Sequence, residues 1–119
     1  MAETGLFGPH GLTQKEIDAA VRGTGPGAYA LGRWNGSTFY VDYVGRSDGD
    51  VNGRLKQWVG SKYTHFKFGF YDSAKAAFEK ECRLFHDFGG AKTLDNKVHP
   101  ARPQGSSWKC PVSGCTDLL

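Results

Sequence analysis

The spacing of apolar and polar residues changes along this chain, and each change of period marks an element. Alternation is strict in His65-Phe66-Lys67-Phe68-Gly69-Phe70, which predicts a strand with one buried face. Residues 28–31 and 38–44 also read as strands, the second rich in β-branched and aromatic residues. Asn35-Gly36 between them is a hairpin turn signal. Helical spacing appears three times. Thr13-Gln14-Lys15-Glu16 is a capping box that opens a short helix carrying Ile17, Ala20 and Val21. Leu55, Trp58 and Val59 predict a helix over residues 54–59. The third helix starts from a cap at Asp72-Ser73 and stops at Gly89-Gly90, with Ala74, Ala77, Phe78, Leu84, Phe85 and Phe88 on one face. The order helix, strand, strand, helix, strand, helix predicts an α+β domain, a three-stranded antiparallel sheet flanked by helices.

A chain of 119 residues fits one domain. Residues 1–24 read as an arm and short helix, 25–98 as the core, and 99–119 as a tail. The tail's Pro100, Pro103, Gly105 and Ser106-Ser107 predict loop. Hydrophobic residues at 39% and charged residues at 23% are an ordinary soluble balance, whereas 17 glycines are about twice the usual ~7% share. No apolar run approaches the roughly 18 residues that span a bilayer, which excludes a membrane-spanning function. The N-terminal Met1-Ala2-Glu3-Thr4-Gly5 lacks the features of a secretory signal. Three cysteines are an odd number and too few for a disulfide scaffold, so a reducing cytoplasm is expected. Residues 1–53 hold 4 basic and 6 acidic side chains, and residues 54–119 hold 11 and 6. The basic half suits a polyanion such as nucleic acid.

Glu81 falls in the middle of the apolar stripe of the third helix, where a carboxylate needs a cation, a donor network or a metal. Two readings follow: an ion pair at the edge of the stripe, or a ligand for a divalent cation. Arg54 and Trp58, four apart, share one side of the second helix. Arg54 could pair with Glu81 or neutralise charge on a phosphodiester. Tyr29 and Tyr43 lie near the ends of neighbouring strands, beside Gly27 and Gly45, where glycine permits close approach.

Taken in order, Gly27-Ala28-Tyr29, Tyr43-Val44-Gly45-Arg46-Ser47, Arg54-Leu55-Lys56-Gln57, Glu81-Cys82-Arg83-Leu84 and Leu94-Asp95-Asn96 resemble the GIY-YIG nuclease superfamily. The resemblance spans about residues 25–98. It implies a divalent-metal-dependent endonuclease that hydrolyses phosphodiester bonds in DNA. Glu81 would be the single protein ligand of Mg²⁺ or Mn²⁺, consistent with a cation that keeps several waters. Arg54 would stabilise the charge on the pentavalent phosphate. Tyr43, with Tyr29, would bind or activate the attacking water. A tyrosine of pKa near ~10 then needs help from the metal, from Arg46 or from a shifted pKa. Asn96 would hold the architecture of the site. Two positions depart from the pattern. Ala28 replaces isoleucine, and Trp58 stands where some members carry histidine or tyrosine, so a donor replaces a potential base.

Gly45, Arg46, Lys56, Lys62 and Lys67 are the expected DNA contacts around the site, with low sequence specificity or recognition of DNA structure. The alternative is a nucleic-acid-binding module that keeps the fold without catalysis. The termini are the remaining places for a protein partner or inhibitor. Cys110 and Cys115 form one wide hook, with His86 and His99 upstream and no second hook, so structural zinc is not expected.

Overall fold

The computed structural model describes residues 4–102, 105–113 and 115. Strand β4 (His65–Phe70) keeps the predicted alternation, with Phe66 and Phe68 buried. It lies beside β2 (Gly27–Trp34), whose first six residues are all buried. That run of burial has a simple cause: both faces of β2 are covered. Tyr29 and Leu31 join Ile17 of α1 (Gln14–Ala20) and Leu55 of α2 (Val51–Lys56) in one apolar cluster. Ala28 and Ala30 join Leu84 and Phe85 of α3 (Ala74–Asp87) in a second. The molecule is therefore a sheet between two helical layers, with α1 and α2 on one side and α3 on the other.

The sheet has four antiparallel strands in the order β1-β4-β2-β3, which corrects the expected three. The extra strand is β1 (Phe7–Gly11), from the segment read as an arm. It pairs with β4 through Phe7↔Phe68, His10↔Phe66 and Gly11↔His65, with a register break between Phe7 and His10. An edge strand half exposed to solvent needs no apolar alternation, and it tolerates Pro9, which has no N–H to give to a neighbour. Those properties erased its periodic signal.

The helix boundaries follow from their caps. Thr13 Oγ1 accepts from the Glu16 backbone N–H, as the capping box requires, while Glu16 reaches back to the N–H of Gly11 in β1. Ser73 accepts from Ala76 N and starts α3; Gly89 and Gly90, both with positive φ, end it. α2 begins three residues earlier than its apolar spacing predicts, because Asp50 caps it by accepting from Gly53 N at 2.9 Å. Trp58 and Val59 then lie in the turn beyond the helix. β3 (Phe39–Ser47) runs three residues past its expected end and makes Gly45 and Arg46 strand residues opposite Tyr29 and Ala28. The described tail residues contain no helix or strand, and residues 103–104, 114 and 116–119 of the predicted loop lie outside the described part. So does the Met1-Ala2-Glu3 start of the chain. Among the described residues, no helix is long and apolar enough to cross a membrane.

Candidate active site

Residues from every layer meet where β2 begins and β3 ends. A pocket of about 240 Å³ is lined by Tyr29, Tyr43, Gly45, Arg46, Asp48, Arg54, Glu81 and Ala101. The turn after β3 sets one wall. Ser47 Oγ accepts from Asp50 N at 2.8 Å, Asp50 caps α2, and one turn later α2 presents Arg54, which is exposed. On the floor, Tyr29 pairs across the strands with Gly45. A Cβ at residue 45 would stand 2.5 Å from the Tyr29 ring, so only glycine lets that ring lie across β3. The Tyr29 hydroxyl accepts from Trp58 Nε1 at 3.2 Å. Burial pushes its pKa up to about 12. Tyr43 packs on Trp58 with ring centroids 4.7 Å apart. Its hydroxyl is also pushed upward, first by burial and then by the charge of Glu81. A lowered tyrosine pKa is therefore not the source of activation here.

Glu81 enters from α3 and is only 8% exposed. Its Oε1 accepts from Arg46 Nη1 at 2.8 Å, and the same Nη1 donates to the Ala101 carbonyl at 2.6 Å. Arg46 Nε is held by Asp48 at 2.9 Å, and its guanidinium lies 5.4 Å from the Phe78 ring centroid. Despite this partner, burial outweighs the arginine and lifts the Glu81 carboxyl to about 7. The ion pair expected from the stripe exists, and its cation is Arg46 rather than Arg54.

Asn96 stands behind the pocket instead of lining it. Its amide donates to Val44 O at 2.8 Å and accepts from Val44 N at 3.0 Å, and Asp95 N donates to Asp42 O at 2.7 Å. β3 is an edge strand, so this segment supplies the neighbour that Tyr43-Val44-Gly45 would otherwise lack. The pocket gathers Gly45 and Arg46 of the expected DNA contacts. The three lysines lie elsewhere: Lys56 pairs with Asp18 at 2.7 Å, Lys62 with Asp95 at 3.0 Å, and Lys67 lies over the Phe39 ring. Lys67 borders a larger cleft of about 790 Å³ with Arg33, Phe39 and Tyr40. Its carboxylate, Asp42, is already bound to Arg33, so that cleft offers no comparable convergence of chemistry.

A second constellation corrects the expectation about metal in the tail. His86, near the end of α3, and His99, Cys110 and Cys115 of the tail bring four ligand atoms within 4.8 Å of one another. This Cys₂His₂ group could hold a metal ion. The second pair of ligands is not another hook but two histidines 13 positions apart, joined only when the tail folds back on α3. Linear spacing carried part of the signal, and the fold supplies the rest. Sequence reasoning also passed over Asp48 and Ala101 as pocket residues and Trp58 as the partner of Tyr29. Comparison with family models, with curated proteins and with solved structures finds no match for this chain.

Proposed function

We propose that this chain is a divalent-metal-dependent endonuclease of the GIY-YIG type that hydrolyses phosphodiester bonds in DNA. One observation carries the reading: Tyr29, Tyr43, Arg54 and Glu81, far apart in sequence, line a single pocket together with Gly45 and Arg46. The residues present fit a hydrated Mg²⁺ or Mn²⁺. A pocket of about 240 Å³ has room for several waters of ~30 Å³ each. Glu81 is a carboxylate whose charged form is poorly compensated by protein alone, and Asp48 lies on the same wall. Such a cation takes one or two carboxylates and keeps waters. When bound, it supplies Lewis-acid polarisation of the phosphoryl oxygen.

The protein's own groups divide the remaining work. Arg54, exposed at the mouth, meets the phosphate and neutralises charge as the phosphorus becomes five-coordinate. A water oxygen attacks phosphorus and gives its proton to bulk solvent, while the bond to the leaving ester oxygen breaks and that oxygen takes a proton from solvent. Tyr43, held as a neutral phenol, orients that water by hydrogen bonding rather than by taking its proton. The Tyr29 oxygen accepts from Trp58, which leaves its own O–H free to donate to a ligand in the pocket. Arg46 holds Glu81 in place through Nη1. The non-catalytic module is the second reading, and the Arg46–Glu81 contact favours it, because one carboxylate oxygen already has a cation.

Nicking of supercoiled plasmid by wild type and Glu81→Gln, with and without Mg²⁺, tests the proposal. Mg²⁺-dependent nicking that is lost in the variant supports the endonuclease. Absence of nicking with Mg²⁺ and Mn²⁺, with DNA still retarded in a gel, would leave the binding module.

A further inference from the structure

Near the C-terminal end of α3, a side-chain cluster outside the proposed catalytic pocket has the composition and geometry of a metal centre. His86, His99, Cys110 and Cys115 place one ligand atom each within a sphere of contacts no longer than 4.8 Å. Tetrahedral zinc, with bonds of about 2.3 Å to sulfur and about 2.0–2.1 Å to nitrogen, sets neighbouring ligands about 3.4–3.8 Å apart. Cys115 Sγ and His99 Nε2 are already at 3.5 Å. Closing the remaining gaps asks for movements of about an ångström.

The tautomer of His99 is determined by its other contact. His99 Nδ1 lies 2.9 Å from the Pro100 carbonyl, an oxygen that can only accept, so Nδ1 carries the proton. Nε2 of a neutral ring then offers a lone pair toward Cys115. A metal-bound histidine is commonly oriented by such an outer bond to a carbonyl. The two cysteines are five positions apart with four residues between them, within the usual spacing of a zinc hook, and Cys115 N donates to Val112 O at 3.1 Å. The His86 and His99 rings lie 5.2 Å apart, and Phe85 covers His99 from α3 with centroids 5.4 Å apart. Two thiolates and two imidazoles are a soft set that suits zinc and does not suit the hard Mg²⁺ of a carboxylate pocket.

We propose that His86, His99, Cys110 and Cys115 bind one Zn²⁺ in a closed, structural site that fastens the tail to the end of α3. The inference does not depend on the endonuclease reading. It has a consequence for the neighbouring pocket, because only Pro100 separates His99 from Ala101, whose carbonyl accepts from Arg46. Fastening His99 fixes the stretch of tail that forms one wall of the pocket. Arg102 Nη1 donates to the Trp108 carbonyl at 3.3 Å, a further contact within the tail.

The test measures metal without reading cleavage. Full-length protein, made in zinc-supplemented medium and purified without chelator, is expected to carry about one zinc per chain. After chelation under reducing conditions, Co²⁺ alone should restore a stoichiometric complex with the absorption of tetrahedral thiolate coordination. Cys110→Ser and His99→Ala should each weaken zinc binding by more than the ~10–100-fold that an outer partner is worth. Protease should cut the tail faster in the metal-free protein. Glu81→Gln must keep its zinc; its loss there would place the metal in the pocket and overturn the proposal. Folded, reduced wild type that neither retains zinc nor takes up Co²⁺ would overturn it too, whatever the variants do.

Discussion

A carboxylate between apolar helix neighbours is destabilising in its charged form, and Glu81 shows how far one arginine compensates. Its pKa is lifted from 4.5 to about 7 although Arg46 touches it. A raised acid favours the fold in its neutral form. That contribution is complete below about pH 4.5 and is lost as pH rises through about 7. A shift of this size corresponds to roughly 3 kcal/mol. Glu81→Gln removes the titration, so the stability of the variant should gain on wild type by that order between pH 5 and pH 8, as read by urea unfolding. No relative gain would mean that Arg46 compensates the charge fully. Under the endonuclease proposal, the same group predicts the pH dependence of cleavage. Protons and Mg²⁺ compete for one carboxylate, so activity should rise with pH through about 7 at low Mg²⁺, and the midpoint should fall as Mg²⁺ is increased. Tyr29, lifted to about 12, adds no alkaline limb below pH 10. Trp58→Phe keeps the packing on Tyr43 and removes the 3.2 Å bond to Tyr29. Cleavage should drop about tenfold, the equivalent of one hydrogen bond near 1.4 kcal/mol, and the melting temperature should fall by about 4–8 °C because the buried Tyr29 hydroxyl loses its partner.

On its outer edge, strand β3 is bound at Val44 by a single side chain. Asn96, 7% exposed, satisfies both the N–H and the C=O of Val44, between Tyr43 and Gly45. Asn96→Ala leaves two buried backbone groups without that partner, at about 1–3 kcal/mol each. Unfolding should come ~10–20 °C earlier, with activity lost ahead of the fold because the pocket floor moves first. Asn96→Asp, which accepts but cannot donate, should fall between. The contrast among elements shows what periodicity can and cannot reveal. β4 and α3 were legible because each buries one face, so the pattern of Phe66 and Phe68, or of Phe78, Leu84 and Phe85, records the fold directly. β1 was not, since it is held to β4 by its backbone and none of its side chains is fully buried. The start of α2 is set by the Asp50 cap, and Val51, buried one turn before Leu55, is followed by Asn52 and Gly53, which mask the helical spacing. The pocket residues were found through their order along the chain, while the Cys₂His₂ group needed the tail to fold back.

Across the whole molecule, charge is distributed differently from its sequence count. The formal charge is +3 and the second half is strongly basic, which suggests broad attraction to a polyanion. In the folded chain four cations, two from each half, have acidic partners among the described residues. Lys56 faces Asp18, Lys62 faces Asp95, Arg33 faces Asp42, and Arg46 faces Asp48 and Glu81. Arg54 lines the pocket mouth and has no salt bridge among the described residues, so it is the cation best placed to meet a phosphate there. DNA held at the proposed pocket alone should therefore bind with only a weak dependence on salt. Each phosphate neutralised contributes about −0.9 to the slope of log K against log salt, so two contacts, from Arg54 and in part Arg46, predict a slope near −2. Fluorescence anisotropy with a short duplex from low to moderate salt gives that slope. Arg54→Ala should flatten it by about one unit, while Lys56→Ala and Lys62→Ala should change it little. A slope beyond about −5 would mean that cations outside the pocket also meet phosphates, and that the basic half of the chain acts as one surface.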